Sequence, residues 1–198
     1  MSRTTPRRRL SAAARREQIL DVALDLVGAA GFHAATPQRL ADEAGVSRTV
    51  LYQQFGDVPS LLVALVEREG DRATEQFLAA CGEVPSSGEP LVDVFAGALR
   101  AVDAHPRTWR LLLFPPEGAP PQLHERVARD QASVLLFIRG ELERAFPLLP
   151  DPELGAAMVH AGGRELLQQR LLDPATMTPE RLLDLIRTLV SLGAGVGR

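Results

Sequence analysis

Residues 36–55 read TPQRLADEAGVSRTVLYQQF. Thr36 followed by Pro37 marks a helix start, a hydroxyl N-cap with proline at the first helical position. That helix ends at Gly45, and Ser47 caps a second one that ends near Phe55 and Gly56. Leu40 and Ala44 face inward from the first helix, and Val46, Leu51 and Phe55 do so around the second. Ala41 is small where the two helices must cross closely. Gly45 supplies the positive φ that a sharp interhelical turn needs. The first exposed residues of the second helix are then Arg48, Thr49 and Val50. A helix N-terminus presents N–H groups and a positive dipole end, which suits phosphate. In a helix-turn-helix the second helix enters the major groove by such N-terminal residues. Taken alone, two short helices around a glycine also fit an αα-corner with no role on DNA.

Outward from this stretch the pattern stays helical. A helix over about 12–30 is capped by Ser11 and stopped by Gly31, with Ile19, Ala23, Leu26, Val27 and Ala30 as its apolar stripe. Another starts near Val58–Pro59 and runs to about Ala80. Further helices follow over 90–104, 106–114, 120–146, 151–172 and 179–194, separated by proline-rich breaks. No segment shows strand alternation, and aromatic residues are only 5 %. Leu-, Ala- and Arg-rich segments suit the helix propensity scale. The expected fold is all-α with about nine helices. An N-terminal arm and three-helix DNA-binding domain occupy 1–57, a connecting helix 58–80, and a helical regulatory and dimerisation domain 81–198.

Residues 15–66, RREQILDVALDLVGAAGFHAATPQRLADEAGVSRTVLYQQFGDVPSLLVALV, resemble the DNA-binding domain of the TetR family of transcriptional regulators. The residues that carry the resemblance are Gly31, Thr36, Leu40-Ala41-x-x-Ala44-Gly45-Val46-Ser47, Leu51-Tyr52-x-x-Phe55 and Leu61-Leu62. The resemblance implies that Ser47 to Gln54 form the recognition helix and that Thr36 and Tyr52 contact phosphates. It leaves Arg48, Thr49, Gln53 and Gln54 as candidates for base edges or backbone. Arginine suits guanine O6 and N7, and glutamine suits adenine. Two positions depart from the family pattern. Thr49 stands where a small residue or glycine is common, and Val58 stands where a phosphate-gripping lysine is common. Arg39 on the preceding helix, or the Arg7–Arg9 run as a minor-groove arm, would compensate; a solvated basic tail is the other reading of that run.

Charge and composition bound the rest. The chain has 198 residues and a net charge of −3. Residues 1–57 hold eight Arg against six acids, a balance of +2, while 58–198 hold 14 against 19, a balance of −5. Such an asymmetry points to a local polyanion contact rather than a generally basic surface. No lysine occurs; every basic residue is arginine. One cysteine, Cys81, excludes a disulfide framework and a Cys-rich metal site, and it fits a reducing cytoplasm. No run of 18 apolar residues is present to span a membrane. His105, His124 and His160 have no second ligand at metal spacing. No hydrolase or phosphate-loop motif appears, so neither an enzyme, a metal nor a cofactor is expected.

The C-terminal part is expected to supply an effector pocket and a dimer interface. Phe95, Leu99, Trp109, Leu113, Val127, Gln131 and Leu135 are the candidate pocket residues, a mostly apolar set suited to a small hydrophobic ligand. Gln131 falls within an apolar stripe, where a buried amide needs a partner. In 179–194 apolar residues cover about half the helix, wider than a stripe of about 100° that packs on one neighbour. In 151–172 small residues permit close approach. Val159, Gly162, Gly163, Leu166, Leu182, Ile186 and Leu189 are therefore the candidate interface. With the resemblance, this implies a cytoplasmic one-component regulator, most often a repressor. It would bind a near-palindromic double-stranded operator as a homodimer and be released by a ligand. The alternative is a nonspecific or architectural DNA-binding protein without an effector. If Tyr52 contacts a phosphate, Tyr52→Phe weakens binding to all DNA sequences alike, because such a contact carries no base information; a changed base preference in a binding titration would refute the role.

Overall fold

The computed structural model describes residues 11–114 and 121–196. Among these are nine α-helices: α1 (Ala12–Ala30), α2 (Pro37–Glu43), α3 (Arg48–Phe55), α4 (Val58–Glu83), α5 (Pro90–Ala104), α6 (Pro106–Leu113), α7 (Pro121–Ala145), α8 (Pro152–Leu172) and α9 (Pro179–Val196). A 3-10 turn at Phe32–Ala34, not expected from the sequence, joins α1 to α2. The Arg7–Arg9 run lies outside the described residues.

The punctuation is local chemistry. Ser11, Thr36, Ser47, Asp57 and Asp151 each accept a backbone N–H at the N-cap of their helix. Proline opens most of the helices from α2 onward, where its missing N–H costs nothing. Gly31 and Gly45 take φ of 79° and 61°, ending α1 and turning the chain between α2 and α3.

Two cores share the molecule. The first joins Ile19, Leu20, Ala23, Leu24 and Val27 of α1 to Leu40, Leu51, Phe55, Leu61, Leu62 and Leu65 of α2, α3 and α4. Leu111 of α6 and Leu123 of α7 complete it, so the helix-turn-helix unit is not separated from the rest of the chain by a seam. The second gathers Leu99 and Val102 of α5, Leu113 of α6, Leu167 and Leu171 of α8 and Leu182 of α9.

Several expectations need correction. Ala30 is exposed rather than part of the α1 stripe; Leu20 and Leu24 are buried in that face. The connecting helix runs to Glu83, beyond the expected Ala80. Apart from these, Val134 and Phe137 of α7 are both exposed. Phe137 stands edge-on to Phe77 of α4 with ring centroids 6.2 Å apart.

α4 and α5 pack closely at Gly97. A Cβ there would collide with the Cys81 sulfur and lie 3.2 Å from the Cys81 Cα, a backbone atom that cannot rotate away. Gly97→Ala therefore overpacks the helix crossing and lowers stability by about 1–3 kcal/mol, the usual cost of a forced backbone shift. Urea unfolding followed by circular dichroism measures it; an unchanged midpoint would mean that the crossing is loose.

Candidate nucleic-acid interface

The helix-turn-helix is assembled from both of its ends. Thr36 Oγ1 accepts from the Arg39 N–H at 3.3 Å, and Ser47 Oγ accepts from the Val50 N–H at 3.4 Å. Between them the Val46 N–H reaches back to the Ala41 carbonyl at 2.9 Å, which closes the turn around Gly45. Leu40, Ala41, Ala44, Leu51 and Phe55 are buried beneath.

This packing sets which side chains are presented. Thr36, Arg39, Ser47, Arg48, Thr49 and Gln53 are exposed, and Tyr52 retains 43 % exposure despite its large apolar ring. An exposed tyrosine between the buried Leu51 and Phe55 has its hydroxyl available to an outside partner. Gln54 differs from the other candidates, since it is half-buried and lines a groove of about 480 Å³ with Arg16, Phe55 and Asp57. Val58, where the family pattern has lysine, is half-buried against the first core. Beside it Asp57 accepts from the Ser60 N–H at 2.7 Å. That N–H, with the Ser60 hydroxyl, holds the Asp57 carboxyl below its usual range.

Three residues important to this geometry escaped the sequence reading. Arg16 Nη1 donates to the Gln54 carbonyl at 2.9 Å, and Gln18 Nε2 donates to the Ala44 carbonyl at 3.1 Å, so α1 caps the C-terminal ends of both short helices. Only the crossing of α1 over those ends brings them together, and no spacing in the sequence signals it. Glu69 did leave a signal, for it lies at helical spacing with Leu62, Leu65, Val66 and Ala73 on the buried face of α4. It is 0 % exposed and accepts from Thr108 Oγ1 of α6 at 2.6 Å. Arg68 and Arg72 each donate to its other oxygen at 2.9 Å. Those arginines also hold Glu17 of α1, at 3.0 and 3.4 Å. Arg107 of α6 adds an ion pair to Asp25 of α1.

At its other end α6 is tied to α8. Arg164 and Gln168 donate to the Leu113 carbonyl, and Arg110 donates to the Leu171 carbonyl. Of the expected pocket residues, Phe95, Leu99, Trp109 and Leu113 do meet, in the second core. Val127 packs instead against the first core, since Leu123 on the same face of α7 is anchored there. Gln131 and Leu135 are half-buried. The seven are therefore divided between the second core, the first core and the half-buried middle of α7. The indole Nε1 of Trp109 and Oε1 of Gln76 are buried with no hydrogen-bond partner among the described residues.

The expected interface also divides. Val159, Gly162 and Leu189 are exposed, and Ile186 is half-buried. Leu182 is 2 % exposed within its own chain and belongs to the second core. Leu166 packs on that core, and a Cβ on Gly163 would face the Phe95 ring at 4.0 Å. The half-helix arc of α9 thus serves two surfaces, one inside the chain and one outside. Leu154 and Met158 of α8 and Leu185 and Leu192 of α9 join the outer one.

The described residues contain no cluster of histidine, cysteine and carboxylate able to hold a metal ion. Among them no helix is long and apolar enough to cross a membrane.

Residues 19–65 match the family model of the bacterial regulatory proteins of the tetR family. The HTH-type transcriptional activator FasR of Mycolicibacterium smegmatis is 41 % identical over 63 residues, a match spanning 32 % of this chain and 29 % of that protein. Over nearly the whole length the fold is similar to a TetR-like transcriptional regulator from Rhodococcus sp. RHA1. That likeness has TM-score 0.74 and 26 % identity, covering 94 % of this chain and 99 % of that one. It is also similar to the regulator FadR of Bacillus subtilis, solved in complex with stearoyl-CoA. There the TM-score is 0.67 at 17 % identity, covering 89 % of this chain and 96 % of that one. The match over the helix-turn-helix and the shared all-helical fold agree: the N-terminal residues 19–65 match the tetR family of bacterial regulatory proteins, and the chain as a whole is similar in fold to a TetR-like transcriptional regulator.

Proposed function

We propose that this protein is a homodimeric repressor that binds a near-palindromic operator and is released by a small hydrophobic ligand, acting in the cytoplasm. The observation that carries the reading is the exposed row Arg48, Thr49, Tyr52 and Gln53 on a capped, tightly supported α3. Thr36 and Arg39 flank it from the start of α2. The outer apolar surface of α8 and α9 supports the dimer. Half-sites one helical turn apart require two copies paired there to hold their recognition helices roughly 34–36 Å apart.

The ligand would act through α6. That helix carries Trp109 in the second core and Thr108 on Glu69, so a molecule lodged near Trp109 lies one residue from the link to α4. Trp109 Nε1, buried with no hydrogen-bond partner among the described residues, offers it a polar anchor in apolar surroundings. The ligand must prefer the conformation that fits DNA poorly, since only differential affinity shifts an equilibrium. A long acyl-CoA is the first probe, chosen because the similar fold of the Bacillus subtilis regulator holds stearoyl-CoA.

The test is competition between an operator, selected from bound genomic fragments, and random DNA at fixed salt. Specific recognition predicts a preference of about a thousandfold or more, relieved by the acyl-CoA. A preference near unity would favour the architectural reading, and one that no ligand relieves would remove the effector.

Leu189 is 54 % exposed on one chain, so burying a charge there costs nothing until two chains meet. Leu189→Arg should leave the monomer folded and abolish the dimer. Sedimentation showing an intact dimer would take α9 out of the interface.

A further inference from the structure

We infer that Arg16 is a positioning residue for base recognition: from α1 it fixes the C-terminal end of α3, and so the pose of the base-reading row, without touching DNA. The inference rests on the DNA-binding reading above.

The recognition helix has eight residues, too few to be stable alone, and its last carbonyls have no partner within the helix. One guanidinium engages that end twice. Arg16 Nη1 donates to the Gln54 carbonyl at 2.9 Å, and its carbon lies 4.3 Å from the centre of the Phe55 ring. Phe55 is itself buried in the first core, so the stack ties the end of α3 to α1 through a ring that cannot swing away. The anchor is firm in turn, because the neighbouring Glu17 is held by Arg68 of α4 at 3.0 Å. Gln18 acts likewise on the end of α2 through the Ala44 carbonyl.

Base-edge contacts demand placement to within about 0.5 Å, whereas phosphate contacts by long side chains tolerate small rotations. Loss of Arg16 therefore erodes specific binding far more than nonspecific binding. A phosphate contact behaves differently: its loss weakens both kinds alike and reduces the salt slope by about one charge.

The experiment compares full-length wild type with Arg16→Met, which keeps the stem but removes the charge and donors. Affinity for the selected operator and for random DNA is measured across a salt series, with a thermal melt of each protein. The expected result is operator affinity about tenfold lower or worse, the scale of a lost charged hydrogen bond, with random-DNA affinity and salt slope unchanged. Equal loss on both DNAs with a shallower slope would overturn the proposal in favour of a phosphate contact, and wild-type operator affinity would overturn it outright. If Arg16→Met does not fold, Arg16→Lys decides. It keeps the charge but not the planar stack, so operator affinity should fall a few-fold at constant salt slope, and full affinity overturns the proposal. A wild type with no preference for any sequence would instead remove the underlying DNA-recognition reading, and this proposal with it.

Discussion

The carboxylate of Glu69 is buried at the point where three helices meet, and the arrangement of the molecule depends on its pairing. A charge taken out of water is tolerated only with partners close by, and Glu69 has Thr108, Arg68 and Arg72. Removing one partner of such a buried pair costs about 3–5 kcal/mol, because the remaining charge is left uncompensated. The arginines continue to Glu17 and Asp21 on α1. One network thus binds the first helix of the DNA-binding unit, the long α4 and the short α6.

The network explains why the two halves of the chain are not independent. α6 is held at its N-terminal half by Glu69 and Asp25 and at its C-terminal half by Arg164, Gln168 and the Leu171 carbonyl. Leu111 of the same helix enters the first core while Leu113 enters the second. A displacement of α6 keeps the Thr108 bond to Glu69 only if α4 follows it. The geometry at the DNA face, where α1 caps the ends of α2 and α3, is therefore mechanically continuous with the core around Trp109.

Much of this was legible in the sequence, for identifiable reasons. Helix boundaries are signalled by residues adjacent to them: Ser11, Thr36 and Ser47 cap through their own hydroxyls, and Gly31 and Gly45 adopt dihedrals that other residues avoid. The exposed row on α3 follows from helical periodicity around Leu51 and Phe55. The inward face of α4 was equally readable, yet Glu69 within it drew no attention, because its partner Thr108 is 39 residues away.

What the sequence determined by itself is local: an all-helical chain, nearly every helix boundary, and the helix-turn-helix with its presented side chains. Periodicity also identified which residues are apolar on α8 and α9. It could not divide Leu182 and Gly163, turned into the chain, from Leu189 and Gly162, turned out of it, because an apolar arc looks the same whether a neighbouring helix or a second molecule covers it. The tertiary structure alone decided that division, the separation of Val127 from the residues around Trp109, and the capping of α3 by Arg16. Each depends on which helices lie side by side, and that follows from packing of the whole chain rather than from any stretch of it.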